Sequence, residues 1–274
     1  MKRFLFLGVV ISIVGSAGFY CKDSKNVTGL KGEIRIAGGT AHVHVQKEIA
    51  GKLMKDNPGL RISIAGGGSG VGIKQVGEGI IDIGNSGRDL KETEISKYGL
   101  VLHAMAIDGI AVIVHPSSGV DNLSTIEVEK IFTGKIKNWK EISSNNSPIN
   151  IYTRDKESGT RKTFVKLLLD RKTKLAKSAH FVKSNGEMKT VVANDKSGIG
   201  FVSVGHIDDS VKAISIDNVS PTLENIKSKK YKVQRSLYMV TKGEAKGNVK
   251  HFIDAVLSQY GQVVVAKNYF ITVK

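Results

Sequence analysis

The sequence predicts an α/β fold with a mainly parallel sheet, divided into two lobes. Strand-like and helix-like segments alternate from Gly32 onward, and short turns, several of them rich in glycine, connect them. A long apolar segment near the middle of the chain separates two such series. Strands that alternate with helices across short connections form parallel sheets. The length of 274 residues, of which 41% are apolar, suits one large or two modest domains.

The first series begins with the strand-like segment GEIRIAGG. A helix is predicted next, because HVQKEIAGKLMKDN has apolar residues at helical spacing, and Pro58 and Gly59 end it. The following segments predict a second strand (LRISIAG), a second helix (GGGSGVGIKQVGEG) and a third strand with its exit loop (IIDIGNSGRDL). In such a sheet, the loops at the carboxyl ends of the strands hold the ligand.

The central segment, LVLHAMAIDGIAVIVHP, is a longer apolar strand that we expect to pass between the lobes. A second series runs from about residue 116 to residue 205 and contains the strand INIYTRD, the helix TRKTFVKLLLD and the segment SGIGFVSVGHI. The last part of the chain adds YKVQRSLYMVTKG, the helix NVKHFIDAVLSQYGQVVVAK and the closing segment YFITVK.

Three turns share one design: a strand ends, small residues let the backbone turn closely, a hydroxyl residue follows and a helix begins. They are Gly38-Gly39-Thr40, Gly66-Gly67-Gly68-Ser69-Gly70 and Ser158-Gly159-Thr160. The free N–H groups of a first helical turn, together with the helix dipole, favour negative charge. A single turn of this kind is most simply an ordinary N-cap. Three in one chain favour a shared site for a small tetrahedral anion.

Arginines complete this predicted anion site. Arg154 precedes the third turn, and Arg88 follows the third strand. A guanidinium group offers a planar fork of hydrogen-bond donors that matches tetrahedral oxyanions. Arg161 lies close by in sequence but is equally compatible with a position facing water. Nucleotide motifs do not fit the glycine-rich turn: Ile73 interrupts the Walker pattern, and Val71 occupies the third glycine position of G-x-G-x-x-G.

The net charge of +16 calls for an anionic partner or surface. Lysine dominates the basic residues, which are scattered rather than gathered with aromatic residues, so nucleic acid is not favoured as a partner. His42 and His44 form a His-x-His pair without a third nearby ligand, and no metal site is predicted. No cofactor is predicted, and neither a nucleophile with its base nor a metal cluster points to an enzyme.

The N-terminus predicts export. Lys2 and Arg3 precede an apolar run, 4–14, that is too short to span a membrane comfortably, so we interpret residues 1–20 as a signal peptide. Cys21 is the only cysteine and cannot form an internal disulfide. A lone cysteine at this place resembles a bacterial lipoprotein acceptor, which predicts a lipid anchor followed by a polar tether over residues 21–31. Simple secretion, with cleavage near Ala17, is the alternative.

Taken together, these segments carry a family resemblance. IAGGT, ISIAGGGSGVGIKQVGEGIIDIGNSGRDL, IDGIAVIVHP, IFTGKIKNW, RDKESGTRKTF, GIGFVSVG and NVKHFIDAVLSQYGQVVV occur in this order, and the combination resembles the phosphate-binding proteins of bacterial ABC phosphate importers. The resemblance implies a type II periplasmic binding protein fold, with two lobes, two hinge crossings and the ligand in the cleft between the lobes. We expect lobe 1 at residues 32–112 and 206–274, and lobe 2 at residues 113–205.

The resemblance also implies which residues hold the ion. They are Thr40 with Ala41, Ser69 with Gly70, and Arg154 with Ser158, Gly159 and Thr160. Arg88 joins this set from its position after the third strand. Many family members carry an aspartate that accepts the proton of hydrogen phosphate where this chain has Gly87. We expect Asp108 to take that role here, with Asp82 as the weaker candidate.

The expected function is that of a non-catalytic, monomeric receptor at the periplasmic side of the membrane in the cell envelope. It would capture inorganic phosphate and deliver it to an ABC permease with its ATPase subunits. Another tetrahedral oxyanion, sulfate or molybdate, is the main alternative because of Gly87. A surface adhesin for anionic polymers and a phosphatase or nucleotide hydrolase remain as further alternatives.

Overall fold

A single long strand, β4 (Leu100–Val114), runs through the centre of the protein and pairs with both halves of its main sheet. This computed structural model describes residues 29–169 and 174–273. The predicted signal peptide and the lipid attachment site at Cys21 lie outside the described residues. Within the residues described, no helix has both the length and the apolar character that crossing a membrane requires.

The remaining strands are β1 (Gly32–Gly38), β2 (Leu60–Gly67), β3 (Ile83–Ser86), β5 (Asn122–Leu123), β6 (Asn150–Arg154), β7 (His180–Val182), β8 (Gly198–Ser203), β9 (Lys212–Ala213), β10 (Ser215–Ile216) and β11 (Gln234–Lys242). The helices are α1 (Val43–Asp56), α2 (Ser69–Gly77), α3 (Glu92–Tyr98), α4 (Thr125–Phe132), α5 (Gly159–Leu168), α6 (Asn185–Ala193), α7 (Leu223–Lys227), α8 (Gly247–Leu257) and α9 (Gln259–Lys267). Short 3-10 helices occur at Thr40–His42, Pro116–Ser118, Trp139–Glu141 and Val204–His206.

The main sheet has the strand order β2-β1-β3-β11-β4-β8-β6-β7, with β9 also paired to β4. Strands β2, β1 and β3 are parallel, as predicted, and so are β8, β6 and β7. The central strand β4 is antiparallel to both of its neighbours, β11 and β8. The sheet is therefore mixed, with a parallel set of strands on each side of an antiparallel centre.

Two separate apolar cores lie on either side of this centre. One core contains Ile34 of β1, Val45 of α1 and Phe252 of α8 together with Met105 from the first half of β4. The other core contains residues from the second half of β4, including Val112. Because one strand supplies both cores, the halves of the protein are two lobes joined through their sheet, and the predicted two-lobed α/β fold is confirmed.

The structure corrects the predicted boundary between the lobes. Residues 206–233 were expected in lobe 1, but Ile214, Ile226 and Tyr231 pack in the core of lobe 2. The Tyr231 hydroxyl also donates a hydrogen bond of 2.8 Å to the carbonyl of Ile110. The return to lobe 1 therefore occurs at the start of β11. These apolar residues lie in short or irregular segments, which carry no clear periodicity.

The two crossings between the lobes are neighbouring antiparallel strands. Asp108 of β4 lies opposite Arg235 of β11 in the register of the sheet, and the backbone N–H of Ile110 donates to the carbonyl of Val233. The hinge is thus a two-stranded ribbon, and its side chains lie where the lobes meet.

The core of lobe 2 depends on a cluster of three phenylalanines. The ring of Phe164, on α5, stacks on that of Phe201 with the ring centroids 4.1 Å apart, and it contacts Phe132 edge-on at 4.8 Å. We expect Phe164→Ala to lower the free energy of unfolding by about 3–5 kcal/mol, because it removes a buried ring and leaves a cavity. Urea denaturation measures this.

The matched control is Val263→Ala on α9, whose side chain is 61% exposed. It should change the free energy of unfolding by less than about 0.5 kcal/mol. Equal effects of the two substitutions would contradict the assignment of Phe164 to the core.

Candidate functional site

A small cavity lies between the lobes, beside the hinge. The space there is about 190 Å³, including the part that is open to solvent, and its wall contains the starts of three helices. The lining residues are Gly39, Thr40, Ala41, Gly68, Ser69, Gly87, Arg154, Ser158, Gly159, Thr160 and Arg235. Residues from all three predicted turns therefore meet in one place.

The first turn follows β1. Gly38 has φ +126°, and a Cβ there would lie 3.0 Å from the Asn85 backbone nitrogen, so only glycine suits this close approach. The 3-10 helix that begins at Thr40 directs Thr40 and Ala41 toward the cavity. The Thr40 Oγ1 accepts hydrogen bonds from the Asn185 backbone N–H at 3.2 Å and from its Nδ2 at 3.1 Å.

The second turn leads from β2 into α2, whose first residue is Ser69. Gly68 has φ +85°, and a Cβ there would lie 2.8 Å from the carbonyl oxygen of Glu157 in lobe 2. The fully buried Ser69 Oγ accepts a hydrogen bond of 2.9 Å from the backbone N–H of Gly87. The glycines of this turn thus allow the two lobes to approach each other closely.

The third turn leads from β6 into α5. The Ser158 side chain caps the helix by accepting a hydrogen bond of 3.2 Å from the backbone N–H of Arg161. The N–H groups of Gly159 and Thr160, in the first turn, have no carbonyl of a preceding turn to bond. A Cβ at Gly159 would collide with Ser69 Oγ, so the starts of α2 and α5 face each other across the cavity.

Arg154 is buried at the end of β6 and is 1% exposed. Its Nε donates to the carbonyl of Val182 at 3.1 Å and its Nη2 to that of Lys183 at 2.8 Å. Its Nη1 is buried and has no hydrogen-bond partner among the described residues. Burial lowers the pKa of the Arg154 guanidinium to about 10, so the group stays charged at neutral pH. This cation needs an anionic partner.

Arg235, at the hinge, was missed by the sequence analysis. Its Nη1 donates a hydrogen bond of 2.8 Å to the carbonyl of Gly87, and its Nε and Nη2 donate to Asp108 Oδ2 at 2.9 and 2.8 Å. The signal was present in the segment RSLYM, where every second residue is buried and Arg235 occupies the same alternate positions as Leu237 and Met239. A basic residue at a position where the alternation of the strand predicts an apolar, buried side chain indicates a buried charge.

The structure corrects the expectation that the Asp108 carboxylate reaches the ion. Its Oδ1 accepts from the Ser203 hydroxyl at 2.8 Å, and its Oδ2 accepts both bonds from Arg235. Burial raises the pKa of Asp108, while the Arg235 guanidinium opposes this shift. Asp108 therefore lies behind Arg235 and orients it. Asp82, the weaker candidate, instead accepts a hydrogen bond of 2.7 Å from the backbone N–H of Arg35.

Arg88 and Gly70 were also expected at the ion, and their donors point elsewhere. The Arg88 guanidinium forms a bidentate ion pair with Glu94 of α3, at 2.8 and 2.7 Å. The backbone N–H of Gly70 donates to the carbonyl of Glu157 at 3.0 Å. Arg88 therefore fixes α3, and Gly70 joins the two lobes at the rim of the cavity.

The lining groups together form an anion site. Hydroxyl groups, first-turn amides and two guanidinium groups surround this small space between the lobes. Within the part of the chain that the structure describes, no carboxylate lines the cavity. Donors of this kind, held on rigid elements, replace the hydration of a compact oxyanion.

Comparison with known proteins agrees with this chemistry. The model of the PBP superfamily domain matches residues 23–260. The phosphate-binding protein PstS of Bacillus subtilis is 36% identical over 264 residues, which cover 94% of this chain and 87% of that protein. PstS of Borreliella burgdorferi is 30% identical over the full length of both chains.

Solved structures of phosphate-transport binding proteins are also similar to this chain. A putative phosphate ABC transporter substrate-binding protein from Clostridium perfringens, with bound phosphate, superposes with a TM-score of 0.84. It is 36% identical, and the match covers 89% of this chain and all of that one. An ABC-type phosphate transport receptor from Vibrio cholerae is 31% identical, with a TM-score of 0.70 and a match that covers 88% of this chain and all of that one. The chain therefore belongs to the PstS family of phosphate-binding proteins, within the PBP superfamily.

Proposed function

We propose that this protein captures one inorganic phosphate ion between its lobes and delivers it to an ABC permease with its ATPase subunits. The observation that carries this proposal is the meeting of donors from both lobes in one small cavity. We assign phosphate binding to Thr40, Ala41, Ser69, Arg154, Ser158, Gly159 and Thr160. The names of the relatives and of the solved structures support the same ligand.

The energetics favour a site of many donors. Phosphate taken out of water loses strong hydrogen bonds, and a hydrogen bond to a charged group recovers about 1.5–3 kcal/mol. The Arg154 guanidinium is held in place by two backbone carbonyls and has its Nη1 free for the ion. Because these carbonyls already hold the Arg154 side chain, little of its side-chain entropy is lost on binding.

Binding is coupled to closure of the lobes. Several contacts cross the cleft beside the cavity, among them Asn185 with Thr40, the Gly70 amide with the Glu157 carbonyl, and Thr163 Oγ1 with the Gly87 carbonyl at 3.4 Å. The ion bonds to both sides and adds to these contacts. Release to a permease requires the lobes to separate about the ribbon of β4 and β11.

The location follows from the N-terminal segment. We propose that residues 1–20 direct export, that Cys21 carries a lipid anchor and that residues 21–31 tether the protein to the periplasmic side of the membrane. The receptor is proposed to be monomeric and non-catalytic. The side chains at the cavity are hydroxyls and guanidinium groups, and the described residues contain no cluster of metal-binding side chains.

Calorimetric titration of the purified protein, stripped of ligand by unfolding and refolding, tests the site. We expect one phosphate per chain, and Ser69→Ala should weaken binding about 10–100-fold because it removes one hydrogen bond to a charged ligand. Arg154→Gln should weaken it at least as much, since it also removes the buried charge.

Matched controls are Ser63→Ala and Arg61→Gln, both at exposed positions of β2. These should leave the dissociation constant unchanged. Phosphate binding that persists at full strength in the Ser69 and Arg154 variants would contradict the assigned site. Binding that collapses when chloride is raised would indicate a surface interaction with anions in place of an enclosed site.

A histidine pair beside the cavity makes the structure sensitive to acid. His44 Nε2 and His206 Nδ1 lie 3.2 Å apart across the cleft, and His206 Nε2 lies 3.2 Å from the Thr40 carbonyl. Burial lowers the pKa of His206 to about 3, with smaller contributions from His44, Lys189 and Arg235. Burial, followed by Lys189, also lowers the pKa of His44.

The sign of the pH dependence follows from this shift. The unfolded chain protonates His206 below its ordinary pKa of 6.5, whereas the folded chain keeps it neutral down to about 3. Stability from this group is therefore complete above pH 6.5 and is lost as the pH falls. Between pH 7 and pH 5, the free energy of unfolding of the His206→Gln variant should fall by about 2 kcal/mol less than that of the parent. Urea denaturation without phosphate measures this difference.

His251→Gln, at an exposed position of α8, is the control and should follow the parent curve. Parallel curves for the parent and the His206 variant would show that His206 does not contribute to the loss of stability in acid.

A further inference from the structure

The two arginines at the cavity differ in how the protein holds them. Arg154 is fixed by carbonyl groups, whereas Arg235 forms an ion pair with the buried carboxylate of Asp108 at 2.8 Å. A guanidinium has five N–H groups. Hydrogen bonds to Gly87 and Asp108 use one on each nitrogen of Arg235, which leaves one on Nη1 and one on Nη2. The Arg235 side chain is part of the cavity wall.

Gly87 creates the space that Arg235 occupies. A Cβ at position 87 would lie 2.7 Å from Arg235 Nη1 and 3.0 Å from its Cζ. Any side chain at position 87 would therefore displace the guanidinium from its present place. The Arg235 guanidinium can therefore occupy this place only because residue 87 has no side chain.

Three of the four hydroxyl groups that line the cavity are oriented as donors, and Thr160 carries the fourth. Each of these three oxygens already accepts a hydrogen bond from a protein N–H: Ser69 from Gly87, Ser158 from Arg161, and Thr40 from Asn185. A hydroxyl has a single hydrogen, and in each case that hydrogen remains for the ion. The first-turn amides of α5 can only donate.

Acceptors for a hydrogen on the ligand are correspondingly scarce. The Asp108 carboxylate is occupied by Ser203 and Arg235, and the Gly87 carbonyl accepts from Arg235. Among the residues described, none that lines the cavity is acidic. A site that hydrogen-bonds a hydroxyl of its ligand rejects an analogue without it by roughly 10⁴–10⁵-fold. No carboxylate of the described residues lines this cavity for that purpose.

We propose that Arg235 is a ligand-binding, specificity-determining residue and that the cavity, built of donors, takes fully deprotonated tetrahedral oxyanions such as sulfate alongside phosphate. This inference rests on the proposed function and concerns the selectivity of the same site. Sulfate has the same size and shape as phosphate and presents four acceptors. Among the described residues, no carboxylate lines the cavity to repel the charge of sulfate.

The test is a pair of titrations of the ligand-free protein, with phosphate and with sulfate, at constant ionic strength set with chloride. We expect both to bind to one site, with the dissociation constant of sulfate within about 100-fold of that of phosphate. Titration of the sulfate-loaded protein with phosphate should show competition. Phosphate binding without sulfate binding would overturn the inference and leave the proposed function intact, whereas failure to bind either ion would count against the proposed function itself.

Two variants probe the residues directly. Gly87→Asp introduces a carboxylate beside the cavity, and the far end of the Arg235 side chain is flexible enough to give way. The ratio of the sulfate to the phosphate dissociation constant should rise at least about tenfold, because only phosphate has a proton to share with a carboxylate. Gly51→Asp, on the exposed face of α1 with open space around it, is the matched control and should leave the ratio unchanged.

The second variant removes the cation without leaving a lone buried charge. Arg235→Gln alone would strand the Asp108 carboxylate, so it is combined with Asp108→Asn, and circular dichroism checks that the pair folds. Both ions should then bind about 10–100-fold more weakly, since each loses hydrogen bonds from a charged donor. Unchanged affinity for both ions in this folded variant would show that Arg235 is not a ligand.

Discussion

A buried arginine that lacks a full set of protein partners is the constraint around which this protein is organised. The Arg154 guanidinium is inside the structure, stays protonated and has no partner for Nη1 among the described residues. A buried charge is strongly unfavourable unless another charge or polar groups compensate it. The carbonyls of Val182 and Lys183 compensate part of it, and the anion of the proposed function would add to this compensation. In that proposal, the ligand is part of the electrostatic balance of the closed form.

The hinge carries the second cation, and this links binding to the relative position of the lobes. Arg235 and Asp108 lie opposite each other on the two strands that cross between the lobes, and the guanidinium also bonds the Gly87 carbonyl after β3. Movement of the strands would move the charge at the cavity wall.

The polar groups of the cavity were predictable in part. The turns at Thr40, Ser69 and Ser158 are local features, since a strand, a glycine and a helix start are all visible in sequence. Arg88 was misplaced because Glu94, six residues further on, forms an ion pair with its guanidinium. Asp108 was misplaced because its partner Arg235 is distant in sequence, and a contact between distant residues leaves no local pattern. Gly70 was misplaced because its amide bonds a carbonyl of the other lobe.

The sequence by itself determined the α/β class, the presence of two lobes and the three glycine and hydroxyl turns, because periodicity and turn chemistry are properties of neighbouring residues. Only the tertiary structure decided where the chain returns to lobe 1, that Arg154 and Arg235 line the cavity while Arg88 does not, and what the aspartate at the hinge does. Ser258 illustrates the same division on a smaller scale: it ends α8 and caps α9 within what the pattern predicted as one helix. Packing and buried charge pairs join residues far apart in the chain, and their geometry exists only once the lobes have folded together.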